Sequence, residues 1–276
     1  MNCDCGVRYA GQPGTGRCLG HFDGIDLIEA WCGLDGKRFT RPAYGSAHRL
    51  LLPRSGAFLL RVNRQEIFVD SASAVLTRPG DELSVAHPLG CGEAFTAMEL
   101  RPDLMARLPA THRLPVDDQL DLRHRLLVAS CRWGADDLAV SEQVHAILDR
   151  LAAAAGTPPD GPARPATATV HRRLVAAARE ALAAARFALG LEEIAALVNC
   201  SPHHLSRVFR AVTGETLTAY RNRMRIRAVL ADVQDGAGSL RTLAADYGFA
   251  DQAHLTRAVR RQLGHPPSAV RRMLVR

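Results

Sequence analysis

The 276-residue sequence has no uninterrupted apolar run of about 18 residues, so no membrane-span pattern is present. Its first residues, Met1-Asn2-Cys3-Asp4-Cys5, lack the basic start and apolar stretch of a secretory signal. The expectation is a cytoplasmic protein with no membrane attachment. Lysine is nearly missing: of 35 basic residues only Lys37 is one. That reflects codon composition rather than function. Seven cysteines occur, at 3, 5, 18, 32, 91, 131 and 200, and no two form a Cys-x2-Cys pair. The zinc signal of Cys3-x-Cys5 with Cys18 and Cys32 is therefore weak. An odd count without an export signal predicts reduced thiols. Cys131 and Cys200 sit in helical patterns and read as small buried hydrophobes. A His-x-His motif is also lacking. His48 and His87, with Glu93 or Glu99, make no recognisable ligand set, because a metal site needs three converging ligands. The expectation is no metal, no cofactor and no enzymatic activity.

What is present is material for a packed core: 47% of residues are hydrophobic and 23% charged. The length suits one large domain or two ordinary ones. The charge is unevenly placed. Residues 168–276 hold 17 Arg and 8 acids, a net of +9, while residues 1–167 hold 18 basic and 20 acidic residues, a net of −2. A basic C-terminal part beside a near-neutral N-terminal part suggests a polyanion-binding module with a passenger. Between them, Gly156–Pro165 carries four prolines and two glycines and reads as an exposed linker. The expected division is a domain over 1–155, a linker over 156–167 and a domain over 168–276.

Residues 48–100 read as β structure. Phe58, Leu60 and Val62 alternate with Leu59, Arg61 and Asn63 at period two. Ile67-Phe68-Val69, Ala74-Val75-Leu76 and Leu83-Ser84-Val85 are further short strands, separated by turn signals at 53–56, 70–71 and 79–81. Short strands at this spacing suggest a small barrel or sandwich. Asp117–Cys131 and Ala135–Ala155 read as helices, with Leu138, Val144, Ile147, Leu148 and Leu151 on one side of the second. Such a pair closes the barrel, forms a dimer contact or merely packs.

The C-terminal part repeats itself. At an offset of 50, residues 201–221 and 251–271 share His204/His254, Leu205/Leu255, Arg207/Arg257, Arg210/Arg260, Gly214/Gly264, Ala219/Ala269 and Arg221/Arg271. Upstream the offset is 49, with Ala195/Ala244 and Ala196/Ala245 identical, so the second copy has one more residue in its turn. Repeats of this kind denote repeated structure. Each copy reads as helix, turn, helix. In the first, Leu191, Ile194, Ala195 and Val198 face inward, Asn199-Cys200 is the break, and Ser201 is the N-cap ahead of Pro202. Leu205, Val208, Phe209 and Val212 follow at helical spacing, and Gly214 ends the helix. The outer face keeps His203, Ser206, Arg207 and Arg210. In the second, Asp251 is the N-cap, Leu255, Ala258 and Val259 face inward, and Gly264 ends the helix. The outer face keeps Gln252, Ala253, Thr256, Arg257 and Arg260. A helix so held, with a polar and basic outer face, fits the major groove, where Arg pairs with guanine and Gln with adenine. Between the copies, Thr216–Val233 reads as one helix of roughly 27 Å with Arg221, Arg223, Arg225 and Arg227 close together. That is near the ~34 Å between successive major-groove faces.

Residues from about 171 to 274 resemble the DNA-binding domain of the AraC/XylS family of bacterial transcription regulators. The matching segments are Leu191-Glu-Glu-Ile-Ala-Ala-Leu, Ser201-x3-Leu205-Ser-Arg-x-Phe209, Gly214, the Arg-rich linking helix, Ala244-Ala-Asp-Tyr-Gly-Phe249, His265-Pro-Pro267 and Arg271. The resemblance implies seven helices with two helix-turn-helix units joined by a long one. It implies base-reading positions at Ser201, His203, Ser206 and Arg207, and at Asp251, Gln252, Thr256 and Arg257. Val259 departs from the family's aromatic, which weakens the second half-contact. Arg78–Pro88 resembles a strand pair of the cupin-like sensory domain of many members. The fold class expected is α+β, multi-domain: a small cupin-like β-barrel with helices, then an all-α domain. The function expected is a homodimeric transcriptional regulator binding double-stranded DNA, meeting RNA polymerase if it activates. A small-molecule effector is expected at the N-terminal domain, with His48, Arg49 and His87 as candidates. Two alternatives stay open: a cysteine- or metal-dependent sensor, with Cys91 beside His87 as the thiol, and a DNA-repair methyl acceptor fused to the same domain. A cupin-like enzyme is a third, disfavoured by the missing His-x-His motif.

Overall fold

The computed structural model describes residues 8–9, 12–13, 15–32, 36–90, 93–154, 165–236 and 238–275. Cys3, Cys5, Cys91 and residues 156–164 of the expected linker lie outside them. Contacts divide the chain into a unit of residues 1–156 with 265–276 and a unit of residues 157–264.

In the first unit, β1 (Arg8–Tyr9) and β2 (Gln12–Pro13) pair with each other. The longer strands are β3 (Thr15–Phe22), β4 (Ile25–Cys32), β6 (His48–Ser55), β7 (Ala57–Val62), β8 (Gln65–Asp70), β9 (Ser73–Thr77), β10 (Glu82–Ala86) and β11 (Glu93–Leu100). Short β5 (Ala43–Tyr44) and β12 (Arg113–Pro115) complete two antiparallel sheets, ordered β5-β10-β7-β8 and β12-β9-β6-β11-β4-β3. The expected strands all form. Strands β3 and β4 lie before residue 48, where the expectation saw none.

Alternation decides the layering. Phe58, Leu60 and Val62 of β7 meet Leu51, Val75, Phe95 and Ala97 of the larger sheet in a core between the sheets. Their neighbours Leu50, Leu52, Leu76 and Met98 point the other way. The larger sheet is thus apolar on both faces. Its second face is covered by α1 (Pro102–Ala106), α2 (Asp118–Arg132) and α3 (Asp137–Ala154). In α3, Val140 joins Val144, Ile147, Leu148 and Leu151 in that core. Leu138, expected among them, is 70% exposed because it lies off that stripe. Gly56, at φ +73, takes the chain from β6 in one sheet to β7 in the other; a Cβ there would stand 2.9 Å from the Cα of Glu93.

A polar network joins the larger sheet to α2. Glu29 is fully buried and accepts hydrogen bonds from Arg54 (2.5 Å), Arg17 (2.7 Å) and Arg132. Burial alone would raise its pKa; the guanidinium groups outweigh burial and hold it below the usual 4.5. His124 lies 2.7 Å from the Thr96 hydroxyl. Burial, then the charges of Arg54 and Arg125, push its pKa well below 6.5.

The second unit is all-helical: α4 (Pro165–Ala184), α5 (Leu191–Leu197), α6 (Pro202–Thr213), α7 (Leu217–Gln234), α8 (Leu240–Asp246) and α9 (Gln252–Leu263). Helix α4 starts inside the expected linker, three residues before 168. The last helix, α10 (Pro267–Leu274), was expected with this unit but groups with the first. It presents apolar Pro267, Val270 and Leu274 on one stripe and contacts α2.

Candidate nucleic-acid interface

Each repeat folds as helix, turn, helix. In the first, Asn199 takes a left-handed backbone (φ 54) between α5 and α6. In the second, Gly248 does the same at φ +68 between α8 and α9. The first connection runs over 198–201 and the second over 247–251, so the extra residue falls in the turn as expected. Both second helices open and close alike. Ser201 Oγ accepts from the His204 amide at 3.2 Å, and Asp251 Oδ1 from the His254 amide at 2.5 Å. Gly214 and Gly264 end them, both at φ 78.

The apolar stripes set which face is free. Leu205, Val208 and Phe209 are buried in α6, and Leu255, Val259 and Leu263 in α9. Phe209 packs on Tyr220 of α7 with centroids 5.4 Å apart. Val259 is fully buried despite its smaller size. Leu191 was expected inward, but at the open first turn of α5 it is 37% exposed. The outer faces hold exposed His203, Arg207 and Arg210 on α6, and exposed Gln252, Arg257 and Arg260 on α9. Ser206 and Thr256 are half-buried beside them. Arg207 lies 3.4 Å from His204 Nδ1, within its own helix. Thr256 donates its hydroxyl to the Gln252 carbonyl at 2.8 Å. Ser201 and Asp251 have side chains engaged as caps, so they offer chiefly helix N-terminal amides to a phosphate.

The arginines of α7 are another matter. Arg221 donates to the Leu189 carbonyl (2.9 Å) and Arg225 to the Phe187 carbonyl (3.0 Å). Arg223 pairs with Glu215, and Arg227 is 1% exposed. Arg221 and Arg225 tie the linking helix to the α4–α5 connection. Sequence clustering alone does not distinguish such clamps from an anion-binding stripe.

In the first unit the three effector candidates separate. His48 and Arg49 pair with Leu100 and Glu99 at one end of β11. Arg49 donates to Glu99 at 2.6 and 2.8 Å. His87 lies at the other end, with Glu93, some 20 Å away along the strand. No one ligand set therefore holds both histidines: Glu99 lies at the His48 end and Glu93 beside His87.

His87 instead meets Cys32, which the sequence grouped only with Cys3, Cys5 and Cys18. Its Nε2 lies 3.4 Å from Cys32 Sγ and its Nδ1 3.0 Å from Glu93 Oε1. These residues carry metal-ligating atoms within 4.8 Å of one another. However, one imidazole presents its two nitrogens to opposite sides, here one to the thiol and one to the carboxylate. That is a relay rather than three ligands on one ion. Burial opposes charge on His87, but its hydrogen bonds to Cys32 and Glu93 outweigh burial and raise its pKa to about 10. Of the other thiols, Cys131 is half-buried in α2, where burial pushes its pKa up to about 12. Cys200 lies half-buried in the α5–α6 turn, not in a helix.

Residues 194–273 match the protein family described as "Helix-turn-helix domain". The chain is 32% identical over 84 residues to the Right origin-binding protein of Escherichia coli (strain K12), and equally to the Transcriptional regulator Rob of Salmonella typhimurium (strain LT2). The matched segment is 30% of this chain and 29% of each relative's length. Among solved structures, ToxT from Vibrio cholerae aligns over 91% of this chain and 98% of its own, at 11% identity and a TM-score of 0.36. An AraC-type DNA-binding domain-containing regulator from Chromobacterium violaceum aligns over 39% of this chain and 97% of its own, at 18% identity and a TM-score of 0.36.

Proposed function

We propose that this chain, which matches a helix-turn-helix domain over residues 194–273, is a sequence-specific, DNA-binding transcriptional regulator of the AraC type. Helices α6 and α9 each enter a major groove, so that one chain reads two successive segments. The observation that carries this reading is the duplicated, capped helix with an exposed polar and basic outer face. Arg207 and His203 read from α6, and Gln252 and Arg257 from α9, with Ser206 and Thr256 beside them. Arg210 and Arg260 sit one turn further along, where phosphate lies. Capped Ser201 and Asp251 place helix N-termini against the backbone of the DNA. The protein acts as a homodimer in the cytoplasm, and the first unit responds to a small molecule. RNA polymerase is a partner if the outcome is activation.

Selection of binding sites from random DNA with the full-length protein, at a stated salt concentration, tests the reading. The expected product is a bipartite site with half-contacts about one helical turn apart. Replacing Arg207 with Ala should cost about 1–3 kcal/mol on the selected site and relax one base position. Selection of no sequence at all, or an unchanged ratio of specific to random binding in the Arg207→Ala protein, would refute the assignment.

A further inference from the structure

Cys32 closes β4, Glu93 opens β11 opposite it in register, and His87 lies between them. The thiol, the imidazole and the carboxylate form one hydrogen-bonded chain. His87 is 4% and Glu93 2% exposed, while Cys32 is half-buried and so reachable from solvent. The second oxygen of Glu93, Oε2, is buried and has no hydrogen-bond partner among the described residues. A buried carboxylate favours a cation at its hydrogen-bonded neighbour, the imidazole. An imidazolium 3.4 Å from sulfur in turn favours the thiolate, the nucleophilic form of cysteine. The raised pKa of His87 agrees with this geometry. A nucleophile within reach of a base that a third group orients is the pattern of an activated thiol.

A cysteine, a histidine and a carboxylate also come together at Cys18, His21 and Asp26, and the difference is instructive. There the sulfur is 3.8 Å from His21 Nε2. The His21 and Asp26 side chains are 64% and 45% exposed, so water screens their charges. Burial and closeness set Cys32 apart.

We propose that Cys32 is a peroxide-reactive thiol, with His87 as its proton partner and Glu93 as the positioning residue. The Cys32 sulfur attacks one oxygen of a small peroxide. The S–O bond forms as the O–O bond breaks, sulfur giving up two electrons and the peroxide accepting them. The leaving hydroxide takes the proton of the His87 imidazolium and departs as water. The oxygen that sulfur takes keeps its own hydrogen, so Cys32 is left as a sulfenic acid and His87 as a neutral imidazole. A small peroxide suits the place, because the sulfur packs against the apolar core between the sheets and the Phe58 ring lies beside His87, centroids 6.0 Å apart. This inference concerns the first unit alone and does not depend on the DNA-binding reading.

The test is brief exposure of the full-length protein to hydrogen peroxide, trapping of sulfenic acid with dimedone, and peptide mass spectrometry of each cysteine. Cys32 should react about tenfold or more faster than Cys18, Cys131 and Cys200, the margin open to a thiol that is ordinarily only a few per cent thiolate at neutral pH. That comparison needs no variant. In the His87→Ala and Glu93→Gln proteins the Cys32 rate should fall and should climb steeply with pH, where the wild-type rate changes little around neutrality. A change in packing alone would not produce that altered pH profile. Equal rates at Cys32 and any other of these cysteines would overturn the proposal, as would variants that leave the Cys32 rate untouched. So would one equivalent of zinc held at Cys32 and shielding it from peroxide, which would make the cluster a metal centre.

Discussion

His124 shows at the scale of one residue how burial sets a pH response. It is 1% exposed, with the Arg54 and Arg125 cations near it, so it stays neutral in the fold. In the unfolded chain it takes up a proton as pH falls through its ordinary 6.5. Its folded pKa is depressed, so its contribution to stability is full above 6.5 and is lost as pH falls towards the folded value. Urea unfolding should therefore show the wild type losing stability between about pH 6.5 and 5 more steeply than the His124→Gln protein. Equal slopes would mean that His124 is protonated in the fold. Residue identity was legible for the outer faces of α6 and α9, because a helix with a full apolar stripe leaves its other positions outside. Cys32 was not legible. It stands 55 residues from His87, and no local pattern joins them. The arginines of α7 were legible as a cluster but not as clamps, since the acceptors of Arg221 and Arg225 are backbone carbonyls of the α4–α5 connection.

At the scale of the element, the repeat shows that caps and turns can be read ahead of the structure. Ser201, Asp251, Gly214 and Gly264 bound α6 and α9 because their short side chains or missing Cβ suit those ends. Gly248 has two reasons to be glycine. Its φ is +68, and a Cβ would stand 2.9 Å from Arg225 Nη2. Its counterpart Asn199 meets the same left-handed requirement with a residue that tolerates it. Gly248→Ala should lower stability by about 1–2 kcal/mol, measured by denaturant unfolding. Asn199→Gly should be neutral or mildly favourable in the same assay. Elsewhere the elements were read less fully. Strands β3 and β4 were missed because Gly16, Gly20 and the charged Asp26 and Glu29 interrupt the apolar alternation. Glu29 is nonetheless fully buried, its charge met by three arginines that the strand's own sequence does not reveal.

For the whole molecule, the excess of positive charge over residues 168–276 overstates what is free for DNA. Arg221, Arg223 and Arg225 have protein partners and Arg227 is buried, which leaves Arg207, Arg210, Arg257, Arg260 and Arg261 as exposed cations of the two second helices. The salt dependence of DNA binding separates the two sets. Arg210→Ala and Arg260→Ala should each reduce the slope of log affinity against log salt by about 1. Arg221→Ala should leave the slope unchanged while lowering stability. An equal loss of slope in all three would place α7 on the DNA. The sequence by itself determined the division into a β part and a basic helical part, the duplication, and the ends of the second helices. Those features rest on hydrophobic period, proline and glycine placement and cap chemistry, all of which act within a few residues. Tertiary structure decided which arginines are clamps, that His48 and His87 lie apart, and that Cys32, His87 and Glu93 meet. Those outcomes depend on strand register and on burial, which bring together groups far apart in the chain and change their chemistry by excluding water.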